Sequence, residues 1–415
     1  MRPPPLEFLF GLERFGMKFG LSNMARLCDA LGHPEHAFAS VLVAGTNGKG
    51  SVTAMVDTAL RAAGHRVARY TSPHLVHLEE RFAIDGRDVS TADLTGAAAR
   101  VQQVVEGLIE SGALAAPPTF FECATAIAFE LFRDAGVAIA VLEVGLGGRL
   151  DATNIVSPVA GAIVSIDFDH QAQLGNTLAS IAAEKAGIAR RGVPLVCGRL
   201  PGEARDTIVA ICRELGAPFI DVALDDRIAP RVAAARPLAL AGDHQVVNAA
   251  VAVGLLDALD ARGLHVDERA IQSGLRDTTW PGRLEAFDVE GCTVWLDAAH
   301  NPAGARALAA HLQRVAPEGV TLVFAAMKDK AVAEMLAALR SVAARVICTT
   351  APTPRAFDAA ALAAIAREGG DDVEVVADPL DALRRACALG RPVVVAGSIF
   401  LVGPVREQLA RDILR

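Results

Sequence analysis

Short apolar runs recur along the chain, each followed by a polar, glycine-bearing turn and then by a stretch whose apolar positions fall at helical spacing. Residues 6–40 read as amphipathic helix, interrupted between Gly16 and Gly20. Residues 41–44 are a strand that ends in a glycine-rich turn, and a helix over 52–63 follows until Gly64 stops it. The same unit recurs: strands at 67–70, 138–143, 159–166, 193–197 and 217–221, helices at 91–111, from 119, at 177–189 and at 203–215. Thr119 is placed to cap its helix, with Glu122 three residues on completing a capping box. Residues 222–240, rich in Arg, Ala and Pro, read as edge strands or a surface hairpin. Helices over 243–260 and 267–278 precede a break at Trp280-Pro281-Gly282-Arg283.

Beyond that break the alternation restarts, with strands at 293–296, 320–325, 345–349, 373–376 and 392–396 separated by helices. Apolar strands alternating with helices predict parallel sheets covered on both faces. The expected fold is therefore α/β in two parts. Residues 1–282, which carry the strand, glycine-rich turn and helix of 41–63 that phosphate-binding loops use, read as an N-terminal phosphate-loop ATPase domain with a mostly parallel sheet, and 283–415 as a smaller C-terminal Rossmann-like α/β domain.

Composition narrows the function. Of 415 residues, 52% are hydrophobic and 21% charged, a folded, enzyme-like balance. A net charge of -8 argues against a nucleic-acid partner, which would call for a basic face. The seven cysteines are scattered and form no Cys-x-x-Cys pair, as in reduced cytoplasmic proteins. No apolar run reaches the length of a membrane helix, so no membrane partner is expected.

Chemistry concentrates at the ends of the strands, where open α/β sheets place their ligands. The turn Gly45-Thr46-Asn47-Gly48-Lys49-Gly50-Ser51 leads from a strand into a helix, the arrangement that cradles phosphates with backbone N–H groups. Its spacing is shorter than that of the common phosphate loop. Glu143 ends a doubly buried strand, where a carboxylate is costly unless paired, with Arg149 for example, or bound to metal. Ser72 and His170 follow two other strands and add a hydroxyl and an imidazole, a hard donor set suited to Mg²⁺ bridging phosphates. Lys185 taken alone reads as part of a solvated helix face. Asp297 and His300 close a strand of the second domain.

Taken together, Ala44 to Ser51, Tyr70-Thr71-Ser72-Pro73-His74-Leu75, Leu142 to Asn154, Asp169-His170, Glu184 to Ile188, Gly242-Asp243-His244-Gln245 with Asn248, Trp280 to Arg283, and Asp297-Ala298-Ala299-His300-Asn301-Pro302 resemble the Mur ligase superfamily. Within it, the chain resembles the folylpolyglutamate synthase/dihydrofolate synthase family, whose short phosphate loop has this same form. The resemblance implies ATP-dependent ligation of L-glutamate to a pteroate or folate carboxylate through an acyl phosphate. The substrates would be ATP, L-glutamate and dihydropteroate or a reduced folate. Two Mg²⁺ ions and a monovalent cation are implied as cofactors, in a cytoplasmic monomer.

Residue roles carry over in the same way. Thr46, Asn47, Gly48, Lys49, Gly50, Ser51, Asn248, Arg283 and Asp297 would bind ATP. Ser51 would hold one Mg²⁺, and Ser72, Glu143 and His170 the other. Lys185 matches the lysine that the superfamily carries as a carbamate, and Lys49, Lys185 and His300 would be the catalytic set. Met17, Lys18, Phe19, Thr119, Leu150, Asp151 and Ala152 would contact the pterin. The alternative is another Mur-type amide ligase acting on a non-folate carboxylate. A cell-wall ligase would place a uridine-binding domain before the phosphate loop, and the 40 residues ahead of Val41 are too few for one.

Overall fold

The computed structural model describes residues 3–16, 20–114 and 116–413, and the chain divides into two compact units. The first comprises residues 1–239 and 246–278, the second 240–245 and 279–415.

The first unit is built on an eight-stranded sheet. Its strands are β1 (Ala39–Ala44), β2 (Val67–Tyr70), β3 (Phe82–Ile84), β4 (Arg87–Asp88), β5 (Ile139–Glu143), β6 (Ala160–Ile163), β7 (Leu195–Cys197) and β8 (Phe219–Asp221), in the order β4-β3-β2-β5-β1-β6-β7-β8. From β2 to β8 all pairings are parallel. The inner strands are buried along nearly their whole length, so they read in the sequence as continuous apolar runs rather than alternating ones. β1 lies at the centre, between β5 and β6. The helix Phe120–Ala135 begins with the capping box expected at Thr119: Thr119 Oγ1 accepts from Glu122 N at 3.1 Å, and Thr119 N donates to Glu122 Oε2 at 2.7 Å.

Three strands were not anticipated. β3 and β4 form an antiparallel hairpin at the sheet edge, turning at Asp85-Gly86 with φ of 51° and 77°. In the second unit, β9 (Glu285–Val289) pairs antiparallel with β10 (Cys292–Leu296) across Glu290-Gly291, φ 52° and 83°. Two successive left-handed residues match the twist of a tight hairpin, and Asp85-Gly86 is one of the pairs such a turn prefers. β3 is buried but only three residues long, and β4 and β9 are partly or wholly exposed, so none registers as an apolar run.

Residues 222–240 also depart from expectation. They contain a helix, Ile228–Ala234, and no strand. Ile228 and Val232, one turn apart, are buried on one face. Pro230 lies in the first turn, where its missing N–H breaks no helical bond.

The second unit carries a six-stranded sheet ordered β13-β12-β11-β14-β10-β9, where β11 is Val320–Phe324, β12 Ala343–Cys348, β13 Val373–Val375 and β14 Val393–Ala396. It is parallel apart from the β9–β10 hairpin. Its core includes Leu308, Leu312, Leu322, Phe324, Met335, Leu362 and Val394. Among the described residues, no helix is long and apolar enough to cross a membrane.

Candidate nucleotide and metal site

The turn after β1 enters the helix Lys49–Ala62 through Gly48, which has a φ of 84°. A Cβ on Gly48 would lie 2.3 Å from Asn248 Oδ1 and 2.8 Å from Val164 Cγ1. Only glycine permits both this backbone angle and the approach of Asn248. Thr46 and Asn47 are held from β6. Thr46 Oγ1 donates to Asp167 O and accepts from Asp167 N, each at 3.1 Å. Ser165 Oγ accepts from Asn47 N at 2.9 Å and donates to Asn47 O at 2.9 Å. Ser51 is buried in the first turn of the helix.

Lys49 Nζ donates to the backbone oxygens of Gly45 and Thr46, both at 3.2 Å. Lys185 Nζ donates to the same Gly45 oxygen at 3.0 Å. Lys185 is 4% exposed, so the reading of a solvated helix face is wrong. Burial, followed by the charge of Lys49, draws its pKa down to about 7, against opposing pulls from Asp169 and Asp151. Its helix, Leu178–Ala186, ends against the glycine turn that follows β5. Arg149 N donates to Glu184 O at 2.8 Å, and a Cβ on Gly148 would lie 2.8 Å from Lys185 O. Arg149 pairs with Glu184 at 2.8 Å, which removes it as the partner anticipated for Glu143.

Glu143, at the end of β5, is 6% exposed and accepts from Ser72 N at 3.3 Å. The structure thus joins the ends of β2 and β5. His170 lies after β6, on the far side of β1 in the strand order, with a φ of 51° at the head of the short Gln171–Leu174 helix. The donors therefore flank the phosphate turn from both sides. A hydroxyl, a buried carboxylate and an imidazole around a glycine cradle fit a hard divalent cation beside phosphate oxygens.

Of the residues assigned to the pterin, Met17, Lys18 and Phe19 lie outside the described residues. Thr119 is buried in its capping box. Leu150 is half-buried and Ala152 buried. The Asp151 carboxylate is used within its own loop, accepting from Leu146 N at 2.9 Å, Thr153 N at 3.0 Å and Thr153 Oγ1 at 2.5 Å. Burial nevertheless raises its pKa.

The second unit has its own polar centre. Buried Asp297 accepts from Leu284 N and Ala299 N, each at 2.9 Å, tying the residue before β9 to the turn after β10. Arg283 donates to Gly282 O at 3.3 Å. His300 Nδ1 pairs with Ala298 O at 2.8 Å, and Asn301 caps the Pro302–Val315 helix through Gly304 N at 2.8 Å. The His244 ring packs against Gly242, where a Cβ would lie 2.5 Å from its Cε1.

The glutamate ligase domain of Mur ligases matches residues 282–399. The dihydrofolate synthase/folylpolyglutamate synthase of Bacillus subtilis is 33% identical over 97% of this chain and 98% of its own length. The chain belongs to the folylpolyglutamate synthase/dihydrofolate synthase family of Mur ligases.

Within that family, the chain spans half the length of a Haloferax volcanii relative that is 38% identical, a probable bifunctional folylpolyglutamate synthase/dihydropteroate synthase. Mycobacterium tuberculosis folylpolyglutamate synthase complexed with ADP superposes with a TM-score of 0.88 at 33% identity, covering 98% of this chain and 99% of that one. A bifunctional folylpolyglutamate synthase/dihydrofolate synthase with Mn, AMPPNP and L-glutamate bound gives 0.83 at 31%, covering 98% of each.

The sequence reading of this family member missed several residues of the site. Ser165 clamps Asn47, and its one signal was a hydroxyl near the end of the apolar run 159–166. Arg81 is buried, donates through Nε to His74 Nδ1 at 2.9 Å and lies 5.1 Å from the centre of the Phe120 ring. Burial, then the Arg81 charge, lowers the pKa of His74 to about 4. Glu80 accepts from the backbone of Leu75, Val76 and His77 at 2.7–2.9 Å and so shapes the loop that carries Ser72. The contacts of Arg81 and Glu80 do not follow from residue type, because both residues lead into the β3–β4 hairpin, which the sequence does not reveal.

Proposed function

We propose that this enzyme ligates L-glutamate to the carboxylate of dihydropteroate, of a reduced folate, or of both. It is an ATP-dependent ligase, and it uses a divalent metal. The reading rests on the convergence of Lys49, Lys185 and the Gly48 turn with Glu143 and Ser72 at adjacent strand ends of one sheet. In the first step the γ-phosphoryl group of ATP passes to the substrate carboxylate, giving an acyl phosphate and ADP. The α-amine of glutamate then attacks the acyl carbon, the amide forms, and inorganic phosphate leaves.

Residues of the chain supply the positioning. The backbone N–H groups of residues 46–51 and the Lys49 ammonium hold phosphate oxygens, with Asn248 against Gly48 fixing the turn. Ser51 serves one Mg²⁺, and Ser72, Glu143 and His170 a second. A monovalent cation completes the ion set. Bound Mg²⁺ neutralises charge on the transferring group. Lys185 acts as its carbamate, since a buried ammonium beside Lys49 and a cation site is repelled, while the carbamate is an anion. Arg283 and Asp297 contact ATP, and His300 belongs to the catalytic set. Thr119, Leu150, Asp151 and Ala152, with 17–19, serve the pterin end. The division of labour is an ATP- and folate-binding part over 1–282 and a glutamate-ligase part over 283–415, acting as a monomer in the cytoplasm.

The test is ATP hydrolysis measured with and without each partner. ADP release that requires both glutamate and a pteroate or folate is expected. Turnover with a UDP-linked peptide substrate in their place overturns the reading. Steady-state rates with dihydropteroate against tetrahydrofolate then assign the acceptor.

A further inference from the structure

A second set of ligating side chains lies at the opposite edge of the sheet. His33-Pro34-Glu35-His36 connects the Ser22–Ala30 helix to β1. The six-residue strand β1 separates it from the phosphate turn by roughly 20 Å. His33, with a φ of 55°, begins the single 3₁₀ turn Pro34–His36. That turn folds the two imidazoles onto each other, ring centres 5.0 Å apart and planes 14° apart.

Glu35 lies between them and is 5% exposed. Its Oε1 is 3.0 Å from His33 Nδ1 and 3.5 Å from His36 Nε2. One donor atom from each of the three lies within 4.8 Å of the other two. The second carboxylate oxygen of Glu35 is buried and accepts from no N–H or O–H among the described residues; the group set against the carboxylate is the buried Cys28 thiol, a weak donor. Such an oxygen is costly to leave bare.

We propose that His33, Glu35 and His36 form a site for a zinc-class divalent cation, distinct from the magnesium site at the phosphate turn. Metal–ligand bonds of about 2.0–2.2 Å at tetrahedral to octahedral angles set ligand atoms roughly 3.0–3.5 Å apart. The two separations from Glu35 Oε1 fall in that range. Two imidazoles and one carboxylate are a Zn²⁺, Co²⁺ or Ni²⁺ donor set, not one for Mg²⁺. Asp29 supplies the supporting group: its Oδ1 lies 3.5 Å from His33 Nε2, the ring nitrogen left over when Nδ1 binds metal. A carboxylate in that position fixes the tautomer and makes the imidazole a better ligand. Both histidine side chains are about half exposed or more, which leaves a path for the ion and an open coordination position.

The experiment is equilibrium dialysis of the full chain against Zn²⁺, with Mg²⁺ and ADP saturating the phosphate turn, beside the double variant His33→Ala/His36→Ala. The wild type should retain one more Zn²⁺ per chain than the double variant. Co²⁺ should give a visible absorption band that the double variant lacks, and Mg²⁺-dependent ligase activity should be equal in the two. Asp29→Asn should weaken Zn²⁺ binding about tenfold. Equal zinc content in wild type and double variant, or a Co²⁺ band that survives in the double variant, overturns the proposal. Both histidines are partly exposed, and an unchanged circular dichroism spectrum of the double variant shows that it is folded, so either outcome is decisive.

Discussion

Lys185 and Lys49, 136 positions apart in the sequence, donate to one acceptor: the backbone oxygen of Gly45 receives Lys185 Nζ at 3.0 Å and Lys49 Nζ at 3.2 Å. Burial disfavours the charge on the more enclosed ammonium, Lys185, and the neighbouring Lys49 ammonium adds repulsion. That is why the Lys185 pKa falls to about 7. The neutral amine is the form that combines with CO₂, so a lowered pKa favours the carbamate proposed for Lys185.

Lys185→Ala should therefore lose ligase activity on the order of 10²-fold or more, the size of effect seen when one transition-state contact is removed. Part of it should return with added short carboxylates, which replace the anion. A fully active Lys185→Ala enzyme would show that no carbamate is needed.

The pH dependence of carbamate formation has a definite sign. A lysine is reactive above its pKa, and lowering that value moves the onset of reactivity to lower pH. Uptake of ¹³C-labelled CO₂ by decarbamylated enzyme, expressed per dissolved CO₂, should rise with pH and reach half its limit near 7 rather than near the ordinary 10.5. A curve still climbing steeply at pH 9 would rule out the lowered value.

Glu143→Gln preserves the shape of a buried side chain and its acceptor for Ser72 N while removing its charge. Saturation by Mg²⁺ should shift to higher concentration and kcat should fall, with the circular dichroism spectrum and melting temperature nearly unchanged. An unaltered metal titration removes Glu143 from the ligand set.

Gly48→Ala places a Cβ 2.3 Å from Asn248 Oδ1 on a left-handed backbone. The conformational cost alone is about 1–2 kcal/mol. ADP affinity by calorimetry should drop about tenfold or more, since each 1.4 kcal/mol is tenfold. Gly64→Ala, also left-handed but with nothing within 4 Å of the added carbon, should lose stability without that loss of affinity.

Ser165→Ala removes both hydrogen bonds that clamp Asn47. At about 1 kcal/mol each, KM for ATP should rise roughly five- to thirtyfold, with kcat changing less. If KM stays constant, the turn keeps its shape without the clamp.

Much of the fold was legible in the sequence because doubly buried parallel strands are nearly pure apolar runs, and β1, β5, β6, β11 and β14 are such strands. The phosphate turn and the Thr119 cap were equally local: glycine positions and a Thr-x-x-Glu spacing act within a few residues of themselves. The strands β3, β4 and β9 and the Ile228–Ala234 helix were not legible. They are too short for their apolar residues to set a period, and what stabilises them lies elsewhere in the chain.

The site divides along the same line. The residue types at strand ends were set by the sequence: Lys49 and Ser51 after β1, Ser72 after β2, Glu143 closing β5. Which of them meet was decided by the strand order β2-β5-β1-β6, which puts Ser72 against Glu143 and leaves His170 beyond β1. Arg149 was assigned to Glu184 and not to Glu143 only by the packing of the glycine turn on the Lys185 helix. Lys185 itself looked like a surface residue, because a helix's periodicity shows its faces but not what covers them. Burial and the shared Gly45 oxygen arise only when distant segments pack, and they give an ordinary lysine its altered chemistry.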